Sequence, residues 1–250
     1  MGALSLLVRP TFFISDLHLC AERPDITRLF ARFTTETAPT AESLYILGDL
    51  FEHWIGDDQL DIDPLARRVA QQLSVLAASG TRIFFMHGNR DFLIGKRFER
   101  EARLSILDDP ASIIIGTAKV LLMHGDTLCT DDESYQSFRR QVRSAVWQQA
   151  ILAKPIAERV ALARSLRSQS DIEKSMKPDA IMDVNAGAVM EAFRRFGYPI
   201  MVHGHTHRPA RHAYAVDGHN CVRWVLQDWH EVGGYLSVHK GEWRTSIVQG

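Results

Sequence analysis

The 250-residue sequence predicts a layered α/β fold with a helical cap inserted in its second half. Three observations carry that prediction. Five short apolar runs, rich in β-branched and aromatic residues and bounded by turn formers, read as buried strands. Segments with apolar residues every three or four positions lie between them, as helices covering a sheet require. One long stretch, Glu133 to Pro178, is helical in composition and carries no strand signal.

Taken in order, the first run is Thr11–Ile14, which exits into Ser15-Asp16-Leu17-His18. The second, Leu44–Leu47, exits into Gly48-Asp49. A helix is predicted over Pro64–Ala78, because Leu65, Val69, Leu73 and Leu76 share one face and Gly80 supplies a stop. The third run, Thr81–Met86, leads to His87-Gly88-Asn89-Arg90-Asp91, and the fourth, Lys119–Met123, to His124-Gly125-Asp126. After the insertion a second helix, Asn185–Phe196, aligns Val189, Met190 and Phe193 and stops at Gly197. The fifth run, Tyr198–Val202, ends in His203-Gly204-His205-Thr206-His207. From Cys221 onward, further alternating apolar segments read as strands closing a second sheet.

The insertion holds nine Lys/Arg and four Asp/Glu, with Trp147, Ile151, Ile156, Val160, Leu162 and Leu166 among them. Its stretch from Ala145 to Leu166 suits either an anionic membrane surface or packing on the core. Over the whole chain the charge is balanced, with 29 Lys+Arg against 30 Asp+Glu, which gives no support to nucleic-acid binding. Cys20, Cys129 and Cys221 are isolated, a poor disulfide framework that points to a reducing compartment. No apolar stretch approaches the ~18 residues of a membrane span, and the N-terminus has no basic region of a signal peptide. A cytoplasmic protein with no obligate protein partner is expected.

All five runs exit into Asp, Asn or His, usually beside Gly. Ligands of open α/β sheets bind outside the carboxyl ends of strands, so the five loops would deliver about seven nitrogen and oxygen donors to one place. Imidazole, carboxylate and amide donors without thiolate suit Mn, Fe or Zn. Seven are too many for one catalytic ion and suit two ions sharing a carboxylate, ~3.5–4 Å apart.

In this order, Asp-x-His, Gly-Asp, Gly-Asn, His-Gly and Gly-His-x-His resemble the calcineurin-like metallophosphoesterases, over residues 12 to 208. The resemblance implies a four-layer αββα sandwich with metals at the strand ends. It implies one ion on Asp16, His18, Asp49 and His207, and another on Asp49, Asn89, His124 and His205. His203 is left in a supporting or packed role. The longer stretches Tyr45–Asp58, His87–Gly95, Met123–Asp132 and Ile181–Asn185 resemble a narrower family that cleaves the pyrophosphate of UDP-2,3-diacylglucosamine in lipid A biosynthesis. That family resemblance implies two Mn²⁺ ions, a water activated by them attacking the uridine-side phosphorus, and work at the cytoplasmic face of the inner membrane. It also implies Asn89, Arg90 and His205 as catalytic residues, and Asp132, Ser170, Lys174 and Lys177 as further substrate contacts, with Arg167 and Tyr135 as weaker candidates.

Two departures matter. Many superfamily members carry His after the Gly-Asn, whereas this chain has Arg90. Arginine cannot give up a proton but can neutralise phosphate charge through forked hydrogen bonds, which fits a leaving group that is itself a phosphate. The narrower family commonly has Asn where Lys174 stands. Asp91 and Asp126 are candidates for orienting metal-bound histidines, or for turn and cap roles. The rival readings are a phosphodiesterase or nuclease on a water-soluble substrate, and a non-catalytic scaffold of the same fold.

Overall fold

The computed structural model describes residues 9–176, 181 and 183–248. Strands β1 (Thr11–Ile14), β2 (Ser43–Leu47), β3 (Arg82–Met86) and β4 (Ser105–Leu107) run parallel and adjacent in one sheet. A second sheet contains β5 (Ala111–Ile115), β6 (Ala118–Leu122), β7 (Ile200–His203), β8 (Ala210–Val216) and β9 (His219–Val225), in the order β5-β6-β7-β9-β8. The tail therefore divides between the sheets, against the sequence expectation. β9 joins the second sheet, but β10 (Gly233–His239) and β11 (Glu242–Val248) return to the first, with β10 antiparallel to β1. Apolar alternation shows that a strand is half-buried but does not say against which sheet it pairs.

The helices are α1 (Pro24–Arg32), α2 (Gln59–Ile62), α3 (Pro64–Ala78), α4 (Lys96–Ala102), α5 (Glu133–Val142), α6 (Ala145–Leu152), α7 (Ile156–Met176) and α8 (Ala186–Arg195). Three separate apolar cores define the layers. Phe13, Leu47 and Met86 meet Val120, Leu122 and Val202 between the sheets. The alternate residues Phe12, Ile14, Ile46 and Phe85 face α1, α3 and α4, whose Phe30, Leu73 and Phe98 cover them. Leu121 and Met201 point the other way and meet Val189 and Phe193 of α8. Both faces of the central strands are thus covered, which is why they read as unbroken apolar runs. Full burial of each such side chain contributes roughly 1.5–3 kcal/mol. The result is helix, sheet, sheet, helix.

The insertion α5–α7 lies between β6 and α8 in the chain. Its first two helices start at side-chain caps, Asp132 accepting from Tyr135 N and Ser144 from Trp147 N. It is tied to the core by arginines. Arg159 is buried and donates to Ile55 O (2.6 Å) and Asp58 Oδ1 (2.8 Å). Arg143 donates to Gly88 O at 2.8 Å, and Arg139 to Asp126 Oδ2 at 2.7 Å.

Candidate active site

Strand pairing continues past the strand ends and shapes the loops beyond them. Asp16 N donates to Gly48 O (3.1 Å), His18 N to Asp49 O (2.9 Å), and Gly204 N to His124 O (2.9 Å). The backbone then turns sharply. Asp16, His18, Asp49, His205 and His207 all have φ between 49° and 68°, so more than half of the positive-φ non-glycine residues that the structure describes gather here. Each such residue costs about 1–2 kcal/mol, and strain gathered in one place marks a site. Two glycines let the carboxylates in. A Cβ on Gly88 would lie 2.1 Å from Asp49 Oδ1, and one on Gly204 would lie 2.2 Å from Asp16 Oδ2.

The side chains form two abutting groups. In one, His18 Nε2 and His207 Nε2 face each other at 3.4 Å, with Asp16 Oδ1 3.7 Å from His207 Nε2 and Asp49 Oδ2 3.8 Å from His18 Nε2. In the other, Asn89 Oδ1 lies 2.9 Å from both His124 Nε2 and His205 Nδ1, and Asp49 Oδ1 lies 3.9 Å from His124 Nε2. Asp49 therefore turns one oxygen to each group. All seven residues singled out in the sequence meet in this one chain of contacts.

The donor set suits a cation. Asp16 Oδ1 is buried with no hydrogen-bond partner, an arrangement that is costly unless positive charge lies against it. Burial drives the His18 pKa down to about 3, against the pull of Asp49, so this ring is neutral and has the form that ligates metal. Burial also opposes the charge on His124, but Asp49, Asp126 and Asp16 outweigh it and raise the pKa to about 9. Carboxylates that hold a proton there would equally attract a divalent ion. The Asp49 carboxyl itself is kept below the usual range: burial raises it, but His124, His18 and Arg90 prevail.

Comparison with known proteins agrees with this geometry. A family model described as calcineurin-like phosphoesterase matches residues 9–209. The chain belongs to that family. Among curated relatives, a UDP-2,3-diacylglucosamine hydrolase of Aromatoleum aromaticum is 54% identical over 224 residues, covering 90% of this chain and 91% of that one. A protein of the same name from Aeromonas hydrophila is 47% identical, covering 94% and 96%, and one from Pseudomonas aeruginosa is 50% identical, covering 90% and 93%. The chain is thus a metallophosphoesterase and a hydrolase, within the family of these relatives.

Around the cluster of this phosphoesterase stand residues whose roles the sequence did not reveal. Asp228 Oδ2 lies 3.4 Å from His207 Nδ1, and Glu52 Oε2 lies 3.5 Å from His18 Nδ1. His124 Nδ1 instead lies 2.9 Å from Leu47 O. His203, the supporting histidine, bridges Gly204 O (2.8 Å) and the buried Arg223 (3.0 Å), which closes the loop carrying His205 and His207. Asp91 accepts from Leu50 N (2.7 Å) and Gly88 N (2.8 Å), pinning the Asp49 loop to the Asn89 loop through backbone amides. Asp126 accepts from Tyr135 Oη and Arg139 Nε, both at 2.7 Å, so it anchors α5. Of the expected substrate contacts, Asp132 caps α5, and the Tyr135 ring lies 5.9 Å from that of His205. Arg167 pairs with Glu52. Ser170 and Lys174 fall within α7, but their side chains, like the whole of Lys177, lie outside the described residues.

A cavity of about 340 Å³ opens from the cluster into the insertion. Asn89, Arg90 and Glu52 line its polar end, and Phe92, Phe138, Trp147, Ile151, Leu162 and Leu166 supply most of the apolar wall, with Asp132, Arg159 and Arg167 among them. Arg90 Nε is buried at that polar end with no hydrogen-bond partner.

Proposed function

We propose that the chain hydrolyses the pyrophosphate bond of UDP-2,3-diacylglucosamine, giving UMP and 2,3-diacylglucosamine 1-phosphate, and so acts in lipid A biosynthesis. The observation that carries this reading is the cavity, whose polar end meets the histidine–carboxylate cluster and whose walls are mainly apolar with a few polar and charged groups. A diacyl sugar nucleotide has the same division, with phosphates at one end and acyl chains at the other. The names of the relatives point to the same substrate.

Two divalent ions, Mn²⁺ in this reading, would be held by Asp16, His18, Asp49 and His207 on one side and by Asp49, Asn89, His124 and His205 on the other. Bound there, they would acidify water and neutralise phosphate charge. The chain's own residues do the rest. Arg90 brings to the diphosphate a guanidinium whose buried Nε has no hydrogen-bond partner, and forms forked hydrogen bonds as charge builds on its oxygens. It offers no proton, and the sugar phosphate leaves without one. Attack by water falls on the uridine-side phosphorus, between Asn89, Arg90 and His205. Asp132, Ser170, Lys174 and Lys177 contact the sugar nucleotide in this reading, with Arg167 and Tyr135 as secondary contacts. The insertion over 133–178 acts as a lid on the single phosphoesterase domain.

The same insertion supports peripheral contact with an anionic membrane at the cytoplasmic face. Val146 and Leu152 on α6 are exposed, Val146 at 79%, and the flanking stretches of the insertion carry the exposed Arg140 and Lys154. Among the described residues no helix is long and apolar enough to cross a membrane. Product release from three substrates tests the assignment: the diacyl UDP-sugar, an unacylated UDP-sugar and a nitrophenyl phosphodiester. Strong preference for the first is expected, and equal turnover of all three would refute the lipid substrate.

A further inference from the structure

We infer that Glu52 is a positioning residue that links the ion affinity of the His18 side of the site to the seating of α7, through Arg167. The inference rests on the two-ion reading above. Glu52 follows the Asp49 loop, and its backbone is fixed by donation from Glu52 N to Leu19 O at 3.2 Å. Its carboxylate is largely buried and divided. Oε2 lies 3.5 Å from His18 Nδ1, while Oε1 forms an ion pair with Arg167 Nη1 on α7.

His18 Nδ1 is buried and has no hydrogen-bond partner, so Glu52 is the acceptor placed to take its proton. The other ring nitrogen faces Asp49 and His207. A histidine that holds a metal through one nitrogen commonly gives the opposite N–H to a carboxylate, which fixes the tautomer and makes the ligand more basic. Asp228 stands in the same relation to His207, at 3.4 Å. Among the described residues, Glu52 alone of the two shares its charge with an arginine of the insertion. Arg167 is about half exposed and lines the cavity, so a ligand seated there lies within its reach.

The consequence is a coupling. While Arg167 engages Glu52, less negative charge is available behind His18. An anionic group that draws Arg167 into the cavity returns that charge to His18 and tightens the ion there. Linkage requires the converse, so a tightly held ion favours the seating of the anion.

The test uses the full-length chain and Mn²⁺ alone, by equilibrium dialysis with ion counting, on the wild type, E52Q, R167M and the double variant, with circular dichroism as a check on folding. E52Q is expected to weaken one of two binding events by about 10–100-fold and to leave the other unchanged. R167M, with no substrate present, is expected to tighten the same event several-fold. In the E52Q background the effect of R167M should vanish. D228N is the comparison: it weakens the same event, and R167M still tightens it. Unchanged affinity in E52Q overturns the inference. So does an R167M effect of equal size in both backgrounds, because Arg167 would then act directly on the ion. If the wild type binds two ions and the variants match it, only the coupling falls. If the wild type binds none, the two-ion reading falls with it.

Discussion

The strand-end cluster and the helical insertion are built on opposite terms. In the cluster the backbone carries the information: five residues are held at positive φ, two glycines admit carboxylates, and Asp91 ties two loops through their amides. The side chains there are mostly buried and have little freedom. The insertion instead hangs from the core by long cations, Arg139, Arg143, Arg159 and Arg167, each reaching a loop at the edge of the cluster. The difference teaches where each property resides. Positions that must hold within about an ångström are set by backbone, whereas a surface that adapts to a substrate is set by a few replaceable anchors.

Breaking the first region should have the largest effect. Asp49→Asn removes the carboxylate that faces both groups. Turnover should fall by more than the roughly 10²–10³-fold typical of a lost oxyanion donor, and the Mn²⁺ bound per chain should fall below that of the wild type, both measured on purified protein. Gly204→Ala touches no ligand chemically, yet its Cβ would displace Asp16. An activity loss of about 10²-fold is expected from that displacement, with the circular dichroism spectrum unchanged. An active alanine variant would show that the cluster tolerates slack.

Breaking the second region should act on substrate rather than on chemistry. Arg159→Met frees the start of α7 from Asp58 and from Ile55 O. KM for the acylated substrate should rise, kcat should change little, and stability should fall by about 1–3 kcal/mol for the unmet carbonyl. Asp58 is 40% exposed and water can satisfy it, which keeps that figure low. The smallest effect belongs to Tyr135→Phe, which removes one donor to Asp126 and leaves Arg139 in place. A thermal unfolding shift equivalent to about 0.5–1.5 kcal/mol is expected.

The cluster was legible because each donor lies within a few residues of an apolar run, so local pattern was enough. Gly88 and Gly204 stand in those motifs for a reason that only packing reveals, namely the carboxylates pressed against them. Partners supplied from afar were not legible. Asp228 backs His207 from the far side of β8 and β9, and Arg223 reaches His203 across the sheet, with no signal in the intervening sequence. Glu52 stood inside a recognisable motif, but its division between His18 and Arg167 depends on how α7 lies. β5 and β8 escaped notice as edge strands in which exposed polar positions, such as Ser112 and Arg211, interrupt the apolar run. The return of β10 and β11 to the first sheet likewise depends on which neighbour offered a free edge.

Anomalous diffraction at the manganese edge, from crystals of the full chain grown with Mn²⁺, tests the central claim most directly. Two peaks about 3.5–4 Å apart are predicted, with Asp49 reaching both, one beside His18 and His207 and the other beside His124 and His205. A single peak, or two that do not share Asp49, would contradict the account.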